Sequence, residues 1–135
     1  MILHRAFREA PLDGWRPAAA EFSAAEERYV SRAASPEGSR AARHLAKALL
    51  SELLQARGVP HAMNQLEILP LDAGACDTVA AAAYSGPPEF RLPPGLLPDG
   101  WRLHVSLSHS RTHAAALLVV EGVTQPDHGG APQPR

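Results

Sequence analysis

The sequence predicts a single domain that combines α-helices with β-strands. Two observations carry this prediction: a helical segment without glycine or proline near the middle of the chain, and two apolar strands near its end. A chain of 135 residues fits one domain. A domain of this size leaves much of its surface exposed, so help from oligomerisation is expected.

The first elements follow from local signals. Residues 1–10 are expected to be extended or mixed, and residues 11–20, with two prolines and a glycine, irregular. A first helix should begin after Ser23, because Glu26 completes a capping-box pattern and Phe22 occupies the staple position. This helix should end near Ala33, and the stretch "SPEGS" at 35–39 should break it.

The longest predicted helix runs from 41 to about 57 and stops at Gly58 and Pro60. Its apolar stripe consists of Ala42, Leu45, Ala46, Leu49, Leu50 and Leu53. Arg40, Arg43 and Lys47 follow at spacings of three and four, so they share another face. Spacing alone favours a solvated basic stripe on that face, since arginine and lysine are good helix formers.

The second half of the chain predicts mainly strands and loops. Residues 65–74 are expected to form a strand entering a turn, and residues 79–84 fit either a short helix or a strand. Residues 85–100, with five prolines and three glycines, predict a long loop. Two strands follow, at 103–108 with period-two alternation and at 114–121 with apolar residues on both faces. Residues 122–135 predict a disordered tail.

Composition excludes several function classes. The net charge is −1, with 13 basic and 14 acidic residues, so no general basic surface for a nucleic-acid or membrane partner is expected. The longest apolar run, "AAALLVV" at 114–120, is too short to span a bilayer. A single cysteine rules out an internal disulfide and favours a reduced, cytoplasmic protein.

The join between the last two strands carries most of the candidate chemistry. Ser108, His109, Ser110, Arg111 and Thr112 offer donors that suit phosphate oxygens, although composition alone favours a solvated turn, since hydrophilic hairpin loops are common. Two further interpretations stay open. Ser106 or Ser108 beside His109 fits a nucleophile pair, but without the usual surrounding glycines. His109 and His113 have the spacing of zinc ligands, but this spacing suits a helix rather than a hairpin.

Four blocks of the sequence resemble 4′-phosphopantetheinyl transferases of the holo-acyl-carrier-protein synthase type. They are "FSAAEERYV" at 22–30, "ARHLAKALLSELL" at 42–54, "QLEILPLDAGA" at 65–75 and "HVSLSHSRTHAAALLVVE" at 104–121, in the family's order. The resemblance implies an α+β fold in which a long helix packs on a small antiparallel sheet. It places the domain at residues 1–121, and it implies a homotrimer.

The resemblance also implies a chemistry. The family transfers phosphopantetheine from coenzyme A to a serine of an acyl carrier protein, with Mg²⁺ and basic side chains neutralising the pyrophosphate. Carried over by position, Arg43, Lys47, Ser108, His109 and Ser110 become candidate coenzyme A ligands. Lys47 is also the candidate catalytic residue.

The sequence departs from the family at its metal ligands. The aspartate of the family's first strand has no counterpart before Asp13, and Ala48 stands where the family has a glutamate. Only Glu9 or Glu52 could substitute, and Glu52 lies one helical turn away, about 5–6 Å along the axis. No metal ligand is therefore assigned, and a role for Mg²⁺ is doubtful.

Three functions remain open at this stage. The first is a non-catalytic or weakly active partner in a carrier-protein-dependent pathway of the fatty acid or polyketide type. The second is an active transferase that moves 4′-phosphopantetheine from coenzyme A to an acyl carrier protein. The third is an enzyme that uses the inherited pocket for other acyl chemistry.

Overall fold

The computed structural model describes residues 1–16, 20–70 and 87–122. The strands in these ranges are β1 (Ile2–Pro11), β2 (Glu67–Pro70), β3 (Pro88–Arg91), β4 (Trp101–His109) and β5 (His113–Gly122). The helices are α1 (Ala24–Ser31) and α2 (Pro36–Ala56), with a 3₁₀ turn at Met63–Gln65. No helix in this part of the chain is both long and apolar enough to cross a membrane.

A three-stranded antiparallel sheet with the order β1-β5-β4 forms the base of the fold. The apolar stripe of α2 packs on one face of this sheet, against the alternate buried residues of β5: Ala114, Ala116, Leu118 and Val120. β2 and β3 form a separate antiparallel pair beside β4. The fold class expected from the sequence, a long helix on a small antiparallel sheet, is confirmed.

Helix α1 begins as its sequence predicts. The Ser23 side chain accepts a hydrogen bond from the Glu26 amide, and the Glu26 carboxylate accepts one from the Ser23 amide, so both halves of the capping box are formed. The helix ends at Ser31, two residues before the predicted end. The extended start at β1 is also confirmed.

The start of α2 differs from the prediction. The first helix does end before "SPEGS", but α2 begins within it, at Pro36 rather than near residue 41. Pro36 occupies the first helical turn, where a missing N–H is harmless and the fixed φ suits the helix. The basic stripe is not solvated either: Arg43 is 5% exposed and Lys47 is fully buried, whereas Arg40 pairs with Glu27 at the surface. Because Arg43 and Lys47 are buried, they can contribute to the core or to an internal site, which solvated surface charges cannot.

The predicted loop at 85–100 contains strand β3. Pro88 lies at the end of the ladder, opposite Pro70, while Phe90 pairs with Ile68. A short strand with proline at its first residue needs few ladder donors, so a proline-rich composition does not exclude it. The predicted strand at 65–74 is present as β2, and Gly122, the first residue of the predicted tail, ends β5. Residues 71–86, including the ambiguous 79–84 segment, and residues 123–135 lie outside the described ranges.

Candidate functional site

The alternation of β4 divides the candidate residues between two faces of the sheet. Leu103, Val105 and Leu107 are half-buried toward α2, whereas Ser106 and Ser108 are exposed on the opposite face. His109 lies at the end of β4, beside the first turns of α2. Ser108 and His109 therefore point to different sides of the sheet, although they are adjacent in sequence.

A cavity of about 360 Å³ opens between the N-terminal half of α2, α1 and the end of β4. It is lined by Tyr29, Ser39, Ala42, Arg43, Pro70, Pro88, Leu107 and His109. Of the five predicted coenzyme ligands, this cavity brings together two, Arg43 and His109. Two elements distant in sequence thus supply one cation and one imidazole to the same space.

Arg43 is held rigidly at the cavity wall. Its Nη1 donates to Ser39 Oγ at 2.7 Å, its Nε donates to the Ile68 carbonyl at 3.2 Å, and its guanidinium lies 5.1 Å from the Tyr29 ring centroid. Burial lowers the pKa of Arg43 from its ordinary value, while the nearby Tyr29 and Glu26 act in the opposite sense. The hydrogen-bond partners identified for Arg43 are neutral oxygens, so no carboxylate is bonded to its charge within the described residues.

His109 is positioned by the close approach of α2. A side-chain carbon at Gly38 would lie 2.5 Å from His109 Nδ1, so only glycine lets the imidazole rest against the helix there. Among the described residues, the ring has no hydrogen-bond partner. None of the described side chains therefore uses the hydrogen-bonding capacity of this imidazole, although its Nδ1 edge packs against Gly38.

The two predicted serine ligands lie outside the cavity. Ser108 is opposite Ala115 on the exposed face of the sheet. Ser110 Oγ accepts hydrogen bonds from the amides of Thr112 and His113, both at 3.2 Å, so it closes the β4–β5 turn. Within one chain, the structure assigns Ser110 to the turn rather than to a ligand.

Lys47 lies in the interior and is fully paired. Its Nζ donates to Glu26 Oε1 at 2.6 Å, to the Glu21 carbonyl at 2.7 Å and to the Met63 carbonyl at 3.3 Å. Both side chains of the Lys47–Glu26 pair are fully buried. Burial lowers the pKa of Lys47 and raises the pKa of Glu26, and their mutual hydrogen bond opposes both shifts. Lys47 does not line the cavity, which places the candidate catalytic residue away from Arg43 and His109.

The two carboxylates considered as substitute metal ligands are also elsewhere. The Glu52 carboxylate accepts hydrogen bonds from Arg8 Nη1 and Nη2, at 2.7 and 2.8 Å, on the surface between α2 and β1. Glu9 is exposed and pairs in register with Ala115, on the face of the sheet away from α2. No group of three histidine, cysteine or acidic residues in the described ranges could hold a metal ion. The described residues that line the cavity include no aspartate or glutamate, the side chains through which proteins usually bind Mg²⁺.

His44 and His61, two histidines outside the cavity, have specific partners. His44 Nδ1 contacts the buried carboxylate of Glu21, and its ring packs against Trp15 at 5.6 Å between centroids. His61 contacts Ser51, and His4 lies beside a surface groove next to α2. The sequence reasoning missed Tyr29 and Ser39 as cavity residues. The i−4 spacing of Ser39 from Arg43 was a usable signal, whereas nothing in the sequence links Tyr29 to Arg43.

Two solved structures match the chain over most of its length. The first is the acyl carrier protein synthase of Mycobacterium tuberculosis, with 20% sequence identity and a TM-score of 0.62, covering 90% of this chain and 99% of that one. The second is the ACPS–CoA complex from Chronobacterium ammoniagenes, with 18% identity and a TM-score of 0.62, covering 90% of this chain and 98% of that one. The chain has the acyl carrier protein synthase fold.

The synthase fold confirms the structural part of the sequence resemblance. No family model matches the sequence, and no curated protein matches it. At these identities the likeness concerns the fold, so the roles of Arg43 and His109 depend on the geometry described above. The cavity between α1, α2 and β4 brings one arginine and one imidazole, side chains that can bind anions, to the same space.

Proposed function

We propose that this protein binds coenzyme A and acts as a non-catalytic or weakly active partner in a carrier-protein-dependent pathway of the fatty acid or polyketide type. The observation that carries the proposal is the joint lining of one cavity by Arg43 and His109. Among the described residues, the hydrogen-bond acceptors of the Arg43 guanidinium are neutral oxygens and the His109 ring has no hydrogen-bond partner, so both side chains are suited to phosphate oxygens.

Coenzyme A is the proposed ligand because its phosphates suit these two side chains. One of the two matched structures is a CoA complex of the same fold. Tyr29 supports the proposal, since its ring stacks on the Arg43 guanidinium and stiffens it in the cavity wall. An acyl carrier protein is the proposed macromolecular partner, and a cytoplasmic location agrees with the single cysteine.

Two placements support weak or absent transfer. Glu52 is engaged by Arg8, and Glu9 is on the other face of the sheet, so neither carboxylate is beside the cavity. Lys47 donates its ammonium hydrogens to Glu26 and two carbonyls. Phosphoryl transfer depends on charge stabilisation at the reacting phosphate, and Arg43 with His109 supplies only part of it.

We also propose that three copies of the chain associate. The face of the β1-β5-β4 sheet opposite α2 carries large exposed apolar side chains: Leu3 at 44%, Phe7 at 64% and Leu117 at 36%. Phe7 and Leu117 are direct partners in the β1–β5 register, so they form a continuous patch. Exposed apolar surface of this kind favours association. A trimer mass by sedimentation, lost in Phe7→Glu, is the expected result, and a monomer at micromolar concentration contradicts it.

Calorimetry with coenzyme A tests the ligand. We expect binding to the wild-type protein and roughly tenfold weaker binding to His109→Ala, because one charge-assisted contact is lost. His113→Ala is the matched control, since this exposed histidine sits in the same hairpin and its ring contacts the Thr112 hydroxyl rather than the cavity. Absence of heat with coenzyme A contradicts the proposal.

A loading assay tests the catalytic part. Apo acyl carrier protein, coenzyme A, Mg²⁺ and stoichiometric protein are incubated, and the intact mass of the carrier is measured. We expect little or no gain of phosphopantetheine. Complete loading would instead establish the active transferase considered from the sequence, with the coenzyme A site retained.

A further inference from the structure

Ser51 of α2 is hydrogen-bonded to His61, which lies five residues beyond the end of the helix. Ser51 Oγ lies 2.7 Å from His61 Nε2, and His61 Nδ1 lies 2.9 Å from the Val59 carbonyl oxygen. Gln55 Nε2 donates to Ser51 Oγ at 3.3 Å. This cluster of Ser51, Gln55, Val59 and His61 shares no residue with the Arg43–His109 cavity.

The protonation of His61 follows from its partners. A carbonyl oxygen only accepts hydrogen bonds, so His61 Nδ1 must carry the hydrogen that it donates to Val59. In the neutral ring, Nε2 is then an acceptor, and the hydroxyl hydrogen of Ser51 must point at it. A hydroxyl donating to a base that a third group orients is the arrangement of an activated nucleophile.

Gln55 adds a donor on the nucleophile's side. Its amide N–H donates to the Ser51 oxygen. When this oxygen attacks a carbonyl, negative charge develops on the carbonyl oxygen, two bonds from Ser51 Oγ, and the Gln55 amide is the donor of this cluster closest to it. The Ser51 residue is 7% exposed, and Ala48, at i−3 on the helix, presents only a methyl group beside it. Only a small group can approach an oxygen that is so nearly enclosed.

We propose that Ser51, His61 and Gln55 form a second reactive site that takes small acyl groups from esters or thioesters. Ser51 Oγ attacks the acyl carbon while its proton passes to His61 Nε2. The alcohol or thiol then leaves with that proton, and the acyl group remains on Ser51 as an ester. Water releases the acid in a second step, with His61 again accepting and returning the proton.

The experiment uses the full chain and a small fluorophosphonate, which reacts with activated serines by loss of fluoride. The stoichiometry is measured by intact mass, and the modified residue is located by peptide mapping. We expect one adduct per chain, on Ser51. The exposed Ser106 is the internal comparison, because it lacks a basic partner and should remain unmodified.

Substitutions of His61 and of Ser51 separate chemistry from folding. His61→Asn keeps a donor for the Val59 carbonyl but has no basic nitrogen, so labelling should be at least roughly 100-fold slower while the unfolding temperature changes little. Ser51→Ala should abolish the adduct. Hydrolysis of 4-nitrophenyl acetate should fall in parallel in both variants.

The outcomes decide the proposal. No adduct on wild-type Ser51, or equal labelling rates in wild type and a folded His61→Asn, overturns it and leaves the cluster as a tie between α2 and the 59–65 segment. Either result is independent of coenzyme A binding, because that binding depends on Arg43 and His109.

Discussion

Arg43 and Lys47 lie one turn apart on the same face of α2, but they end in different surroundings. Arg43 borders a cavity and bonds to a hydroxyl and a carbonyl, whereas Lys47 is closed inside the protein on the carboxylate of Glu26. The buried partner therefore decides the role of each cation. A charge bonded only to neutral groups can still attract an anion, and one bonded to a carboxylate holds the fold together.

The largest expected effect is the loss of stability when Lys47 is replaced. Lys47→Met leaves Glu26 buried without its cation, which should reduce the free energy of unfolding by about 3–5 kcal/mol. Urea denaturation measures this, with Arg40→Met at the exposed Glu27 pair as control. Adding Glu26→Gln should recover part of the loss. A change below about 1 kcal/mol in Lys47→Met would show that Lys47 is not structural.

Arg43 should respond differently. Arg43→Gln keeps an amide donor for Ser39 but removes the positive charge, so coenzyme A should bind roughly 10–100-fold more weakly. Calorimetry measures the affinity, and urea denaturation the stability, where the loss should be smaller than for Lys47→Met. If Arg43→Gln unfolds as readily as Lys47→Met and binds normally, the contrast between the two cations is wrong.

Gly38 offers a finer test of the cavity. Gly38→Ala should favour the helix by up to about 1 kcal/mol, but its new carbon displaces the His109 imidazole. We expect coenzyme A affinity to fall about as much as in His109→Ala, while thermal stability is retained. Combining the two substitutions should add little further loss of affinity, since both act on the same ring.

The smallest effect concerns the exposed Arg8–Glu52 pair. The hydrogen bond from Arg8 lowers the pKa of Glu52, so its stabilisation is present above the unfolded pKa of glutamate and is lost as the pH falls through the lower folded value. Because both side chains are exposed, Glu52→Gln should cost only about 0.2–1 kcal/mol at neutral pH and nothing in strong acid. Denaturation at both pH values checks this. A loss of coenzyme A binding in this variant would place Glu52 in the ligand site after all.

The sequence predicted what local chemistry determines. Ser23 and Glu26 identified the start of α1, and the alternation at 103–107 identified β4. It failed where long-range contacts decide. Helical spacing groups Arg43 with Lys47, but it cannot reveal that Glu26 of α1 forms its ion pair with Lys47. Likewise, the prolines around Phe90 predicted a loop, but strand β3 forms there because β2 pairs with it.

The Glu26 carboxylate accepts hydrogen bonds from the Ser23 amide, the Lys47 ammonium and the Ile68 amide. One side chain thus fixes the relative positions of α1, α2 and β2. A shift of any of the three by one residue would leave a buried donor without an acceptor. Insertions should therefore be tolerated in the connection at 32–35, which can absorb a change of length, but not within the helices or strand that Glu26 joins.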